Sequence, residues 1–139
     1  MASYKNLDLK QLHRLAAALA LTLKGRGATI GLTGTLGAGK TTFVQGFAKA
    51  LGIKKISSPT FVIRHDHRAR RSNLYHLDFY RLTKASQLKN LGLMELLGRN
   101  NLILIEWVEK FSKIEKLCDI VVTFKIKPGN VRDITIKAN

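Results

Sequence analysis

Acidic residues are scarce in this chain. Nine aspartates and glutamates stand against 24 lysines and arginines, for a formal net charge of +15 over 139 residues. A surface this basic disfavours cationic partners and fits acidic ones: phosphorylated ligands, RNA or an acidic protein. Cysteine is rarer still. The single thiol, Cys118, excludes an internal disulfide framework and any multi-cysteine zinc site, and is expected to be a small packed side chain. Long apolar runs are missing too. The longest, residues 15–23, already contains Thr22, whereas a membrane span needs about 20 apolar residues. The first ten residues, MASYKNLDLK, carry charges where a signal peptide needs an apolar centre, so a soluble cytoplasmic protein is expected. There is no repeat, no low-complexity tract and no Pro/Ser linker.

What is present is ordinary globular material. Hydrophobic residues make up 45% and charged residues 24%, which excludes a mostly disordered chain. The length suits one domain, residues 1–139, able to bury roughly two-thirds of its unfolded surface. Leu9, Leu12, Leu15, Leu19 and Leu23 recur at helical spacing and predict a helix over 8–24, ended by Gly25 and Gly27. The apolar run 28–33 predicts a buried strand, and 40–51 a helix closed by Gly52. Strands are expected at 61–64 and 73–79, with a strongly basic loop, 64–71, between them. One or two short helices are expected over 83–97. The run 102–105 (LILI) has the pattern of a strand buried on both faces. The alternating segments 119–127 and 131–137, split by Pro128-Gly129-Asn130, predict a C-terminal β-hairpin. The expected fold is α/β: a mixed, mostly parallel sheet flanked by helices.

Residues 34–41 read Gly-Thr-Leu-Gly-Ala-Gly-Lys-Thr, the pattern G-x-x-x-x-G-K-[ST]. Each residue type has a physical reason. Glycines allow backbone torsions that turn successive N–H groups around a phosphate. The helix that follows aims its positive end at the same place. Lys40 supplies a point charge for the terminal phosphates, and the Thr41 hydroxyl is a hard oxygen for Mg²⁺. A predicted strand before the loop and a predicted helix after it are the context this motif requires. The result is an expected Mg-nucleotide site.

Few acids are available to complete such a site. Glu106 follows LILI and so lies at the carboxyl end of a buried strand, the ligand edge of an open α/β sheet; it could hold metal or act as a base. Asp78, ending a strand and sharing a face with His76, could position water, support the metal or cap a turn. Thr60, in Ser58-Pro59-Thr60-Phe61, could sense a γ-phosphate or simply enter a strand. No D-x-x-G and no N-K-x-D occurs, so guanine-specific chemistry lacks its usual parts.

The ordered segments GTLGAGKTTFVQGFAKALGI, SSPTFVI, LYHLDFYRL and LILIEWVEK resemble the bacterial TsaE (YjeE) family over nearly the whole chain. That family is the ATPase component of the machinery making threonylcarbamoyladenosine in tRNA. The resemblance implies a P-loop ATPase domain with low intrinsic activity. ATP would contact Leu36, Gly37, Ala38, Gly39, Lys40, Thr41 and Thr42, with Thr41 and Glu106 around Mg²⁺. Thr60 would belong to one switch-like loop and Asp78 to a second, and Trp107 would lie near the nucleotide. The implied partners are the two paralogous transferase subunits, of TsaB and TsaD type, and tRNA through that complex, the free protein being a monomer. The chain departs from the usual family pattern at Val108, at His67, and over 85–97, where only Glu95 is acidic. Lys40, Asp78 and Glu106 are the candidate catalytic residues, with Arg81 a candidate for extra phosphate charge. Two other functions compete: a stand-alone small-molecule kinase, and an ATP-switched RNA-binding module using Arg64, Arg68, Arg70 and Arg71.

Overall fold

The computed structural model describes residues 1–54, 56 and 63–139. Helix α1 (Leu9–Leu23) starts where Asp8 and Gln11 form a reciprocal cap: the Gln11 N–H donates to the Asp8 carboxylate at 2.8 Å, and the Asp8 N–H donates to the Gln11 side chain at 2.9 Å. Its buried stripe is Leu12, Ala16 and Ala20, four residues apart. The small alanines let it lie close along α2 (Lys40–Ala50). Gly46 of α2 completes the contact, since a Cβ there would meet the His13 carbonyl oxygen at 2.7 Å.

Among the described residues seven strands form one sheet. They are β1 (Ala2–Leu7), β2 (Ala28–Thr33), β3 (Arg64–Arg68), β4 (Asn73–Asp78), β5 (Asn101–Glu106), β6 (Ile120–Lys127) and β7 (Val131–Ala138), in the order β1-β7-β6-β2-β5-β4-β3. The four central strands, β6, β2, β5 and β4, run parallel; on the flanks β3 pairs antiparallel with β4, β7 with β6, and β1 with β7. This is the mixed sheet, parallel at its centre, that the apolar runs predict. Alternation along β5 sends Leu102 and Leu104 to a core beneath α1 and α2, and Ile103 and Ile105 to a second core on the opposite face. That second core is covered by a 3₁₀ turn (Ala85–Leu91), α3 (Leu93–Leu96) and α4 (Ser112–Leu117). Both faces of β5 are therefore apolar, which is why LILI has no polar phase. The hairpin β6–β7 forms as expected. Among the described residues no helix is long and apolar enough to cross a membrane.

The structure corrects one reading and adds two elements, β1 and α4, that the sequence did not announce. Residues 64–68, expected to be loop, form β3, paired residue for residue with β4 from Arg64 opposite Leu77 to Arg68 opposite Asn73. An edge strand of Arg and His has no buried face to announce it; its partner strand decides. The first half of the strand expected at 61–64 lies outside the described residues. Strand β1 is exposed along nearly all of its length and bulged between Tyr4 and Leu7, so no alternation marked it. Helix α4 is six residues long, too short for a periodic signal.

Cys118 is buried in the second core, where its Sγ donates to the Ile114 carbonyl at 3.3 Å. Burial, helped by Asp119 and Glu115, pushes its thiol pKa up to about 12. The native thiol is expected to resist an aromatic disulfide reagent at neutral pH and to react fully once the chain is unfolded. Rapid stoichiometric labelling of the native protein would contradict this packing.

Candidate functional site

Strand β2 ends at Thr33, and the chain turns through residues 34–39 into α2. Gly39 caps α2 with a left-handed φ of 109° and offers no side-chain hydrogen bond, so the first N–H groups of the helix have no side-chain cap. A Cβ at Gly39 would also strike Leu12 of α1, at 2.6 Å from its Cδ2. Glycine is required here for both torsion and space. Ala38, fully buried, donates its N–H to the Thr35 carbonyl at 3.2 Å, while Leu36 stands exposed at the tip of the loop.

Lys40 opens α2 and folds back over the loop. Its ammonium donates to the Gly34 carbonyl, lies 3.5 Å from that of Thr35, and sits 3.6 Å from the centre of the Trp107 ring. Burial lowers its pKa, against the raising effects of Glu109, Glu106 and Asp78. Trp107 holds this position with a left-handed φ of 60°, which for a bulky side chain is strain of the kind that costs about 1–3 kcal/mol and gathers at working sites. Tyr80 flanks it, ring centres 5.0 Å apart.

Two carboxylates meet this loop from the neighbouring strands. Asp78 and Glu106 are register partners at the carboxyl ends of β4 and β5. The Thr41 hydroxyl donates to Glu106 Oε1 at 3.4 Å, and the other Glu106 oxygen accepts from His76 Nε2 at 2.6 Å. His76 is fully buried and orients Glu106 from β4. Asp78 accepts from the Tyr80 N–H at 2.9 Å, so it closes a local turn as well as facing the site. Burial pushes its carboxyl pKa up, with the Tyr80 N–H opposing and Glu106 adding to the rise. Thr42 is half-buried on the first turn of α2. Thr60 lies outside the described residues.

The donor chemistry can be tested against Mg²⁺. Among the described residues no group of three or more His, Cys, Asp or Glu side chains could hold a metal ion. The adjoining Thr41 hydroxyl and Glu106 carboxylate are hard oxygens. They suit an ion that takes one or two protein ligands and completes its shell with phosphate and water.

Two residues of the site escaped the sequence reading. Glu109 accepts from the Thr33 hydroxyl at 2.5 Å and from the Gly34 N–H at 2.8 Å, tying the segment after β5 to the start of the loop. Nothing local in the sequence marks this pairing across 75 residues. Arg132 of β7 is 2% exposed and unpaired with any carboxylate among the described residues. Its Nε donates to the Ala38 carbonyl at 3.1 Å, and its Nη1 to the Leu7 and Asn130 carbonyls at 3.2 and 3.3 Å. A guanidinium thus supports the loop from beneath. A signal existed, because Arg132 shares its strand phase with Ile134 and Ile136. Replacing Arg132 by Met should destabilise the fold by about 2–4 kcal/mol, because buried carbonyls lose their donors. Chemical denaturation of both proteins measures this, and an unchanged midpoint would remove the supporting role.

A glycine-rich turn between a parallel strand and a helix, with lysine and threonine opening that helix and acids at the adjacent strand ends, defines a protein of the P-loop, nucleotide-binding class. Comparison with known proteins narrows this. The family described as "Threonylcarbamoyl adenosine biosynthesis protein TsaE" matches residues 7–134, and the chain belongs to that family. It is 36% identical to the tRNA threonylcarbamoyladenosine biosynthesis protein TsaE of Aquifex aeolicus, over 89% of this chain and 86% of that one. It is also 36% identical to the protein of the same name from Bacillus subtilis, over 94% of this chain and 80% of the relative. The fold superposes on the crystal structure of YdiB from Bacillus subtilis with a TM-score of 0.79 and 30% identity, covering 99% of this chain and 84% of that one.

Proposed function

We propose that residues 1–139 act as one ATP-binding, slowly ATP-hydrolysing subunit of the machinery that makes threonylcarbamoyladenosine in tRNA. The observation that carries this is the meeting of three parts at one sheet edge: an uncapped helix start behind a glycine loop, the buried Lys40 ammonium, and the Thr41–Glu106 pair. The backbone N–H groups of the loop and of the first turn of α2 bind phosphate oxygens. Lys40 neutralises their charge. A magnesium ion, when bound, adds further neutralisation, and Thr41 and Glu106 are the donors this chain would offer it. Glu106, held by His76, or Asp78, with its raised pKa, orients the attacking water. Trp107, flanked by Tyr80, covers the lysine.

Beyond Lys40 and magnesium, further positive charge on the phosphates is left to the candidate Arg81 or to a partner, so the free protein is expected to be a poor ATPase. Supplied arginine charge is worth about 10³–10⁵ in rate in related chemistry. Stimulation therefore comes from partners: the two paralogous transferase subunits of TsaB and TsaD type, and tRNA bound to them, in the cytoplasm. The decisive measurement is ATP turnover by the monomeric protein alone, with those subunits, and with subunits plus tRNA. A strong rise on adding subunits is expected. Turnover that ignores them but responds to a small-molecule acceptor would overturn the proposal.

A further inference from the structure

Strands β2, β4 and β5 begin at the end of the sheet opposite the phosphate loop, with Ala28 beside Leu102 and Asn73 beside Asn101. Two contacts gather the flanking turns there. The Gly25 N–H donates to the Ser72 hydroxyl at 2.9 Å, joining the end of α1 to the β3–β4 turn. Gly27 packs so closely on the Arg99 carbonyl that a Cβ would collide with it, which brings in the turn before β5. Three separate segments thereby deliver Lys24 and Arg26, then Arg68, Arg70 and Arg71, then Arg99. All six are exposed.

Among the described residues none of the six is in an ion pair. The acids nearest in sequence or register each have a partner: Asp66 holds Arg64, Glu95 also acts on Arg64, and the Asp119 carboxylate accepts from the Thr29 N–H at 2.8 Å. Arg64 leaves the basic group that the sequence suggested, because it is bound to Asp66 and to the Leu91 carbonyl. Like charges brought to one end of the sheet without ion-pair partners oppose folding, and a counter-charge from outside the chain would relieve that repulsion. Five of the six are arginines, whose planar donors match phosphate oxygens. Only one large apolar side chain, Leu21, is exposed within four residues of any of them in sequence, whereas a protein partner needs an apolar centre to its interface.

We propose that this end of the sheet binds the sugar-phosphate backbone of RNA directly. The claim is independent of ATP hydrolysis, which takes place at the other end. The test uses the full chain without partner subunits and fluorescently labelled tRNA, titrated from 50 to 300 mM salt, values chosen around the range over which counterion release is read. Neutralising three phosphate contacts (Arg68→Gln, Arg70→Gln and Arg71→Gln together) should weaken binding about tenfold or more and flatten the log–log salt slope by about 2–3. A control carrying Lys113→Gln, Lys116→Gln and Lys125→Gln should bind within about twofold of the parent. Thermal melts and basal ATP turnover of both variants check the fold and the distant site. Equal weakening by the control, or an unchanged triple-arginine variant, overturns the proposal. So does displacement of the tRNA by polyglutamate of matched charge as readily as by unlabelled RNA, which would mark the surface as one for acidic protein.

Discussion

Lys40→Ala abolishes measurable ATP turnover in the proposed reaction and leaves the protein folded. The ammonium is buried beneath Trp107, Glu109, Glu106 and Asp78 oppose the fall in its pKa, and among the described residues its hydrogen-bond acceptors are the Gly34 and Thr35 carbonyls of the loop. Among the described residues this buried charge has no direct ion pair, a poor way to stabilise a fold and a good way to prepare a site for an anion. Loss of such a preorganised charge in a site that excludes water costs on the order of 10²–10³ in rate, enough to sink a slow ATPase into background. Binding of nucleotide weakens as well, because the charge acts on bound phosphate before and during reaction. Trp107 is the only tryptophan, so its fluorescence reports binding separately from turnover. Turnover within a few-fold of the parent would remove Lys40 from the mechanism.

Glu106→Gln has the second largest expected effect. The side chain is 4% exposed, accepts from His76, and faces Thr41. Glutamine can still accept from His76 Nε2, so the local geometry is kept while the negative charge is lost. Turnover is expected to fall by about 10²–10⁴, the range for a positioned acid or base, with nucleotide affinity nearly retained. Single-turnover hydrolysis measured beside equilibrium binding separates the two. Asp78→Asn is the companion measurement, because Asp78 is the register partner of Glu106. If Asp78→Asn slows the reaction and Glu106→Gln does not, the water-orienting role belongs to Asp78.

Much of this arrangement was legible in the chain, for physical reasons that differ from part to part. The phosphate loop is local: eight consecutive residues specify their own torsions, and the flanking strand and helix are announced by apolar period. Glu106 was legible because a strand buried on both faces has no polar phase, so the first acid after LILI marks its end. Asp78 was legible by alternation from His76, but its pairing with Glu106 depends on β4 lying parallel beside β5, which no local pattern states. The bond from His76 to Glu106 is of the same kind. Residues 64–68 misled because charge argues for a loop, while the ladder to β4 was indifferent to charge on an exposed edge.

The central strands, the two longer helices and the glycine-rich loop between β2 and α2 follow from the sequence by itself, since each depends on interactions within a few residues or on the period of apolar side chains. Tertiary structure alone decided that Glu109 ties down Gly34, that Arg132 supports Ala38 from 94 residues away, and that six cations from three turns share one end of the sheet. Those contacts depend on strand order and register, which are chosen by the summed burial of the whole sheet and leave no mark in any short stretch of chain.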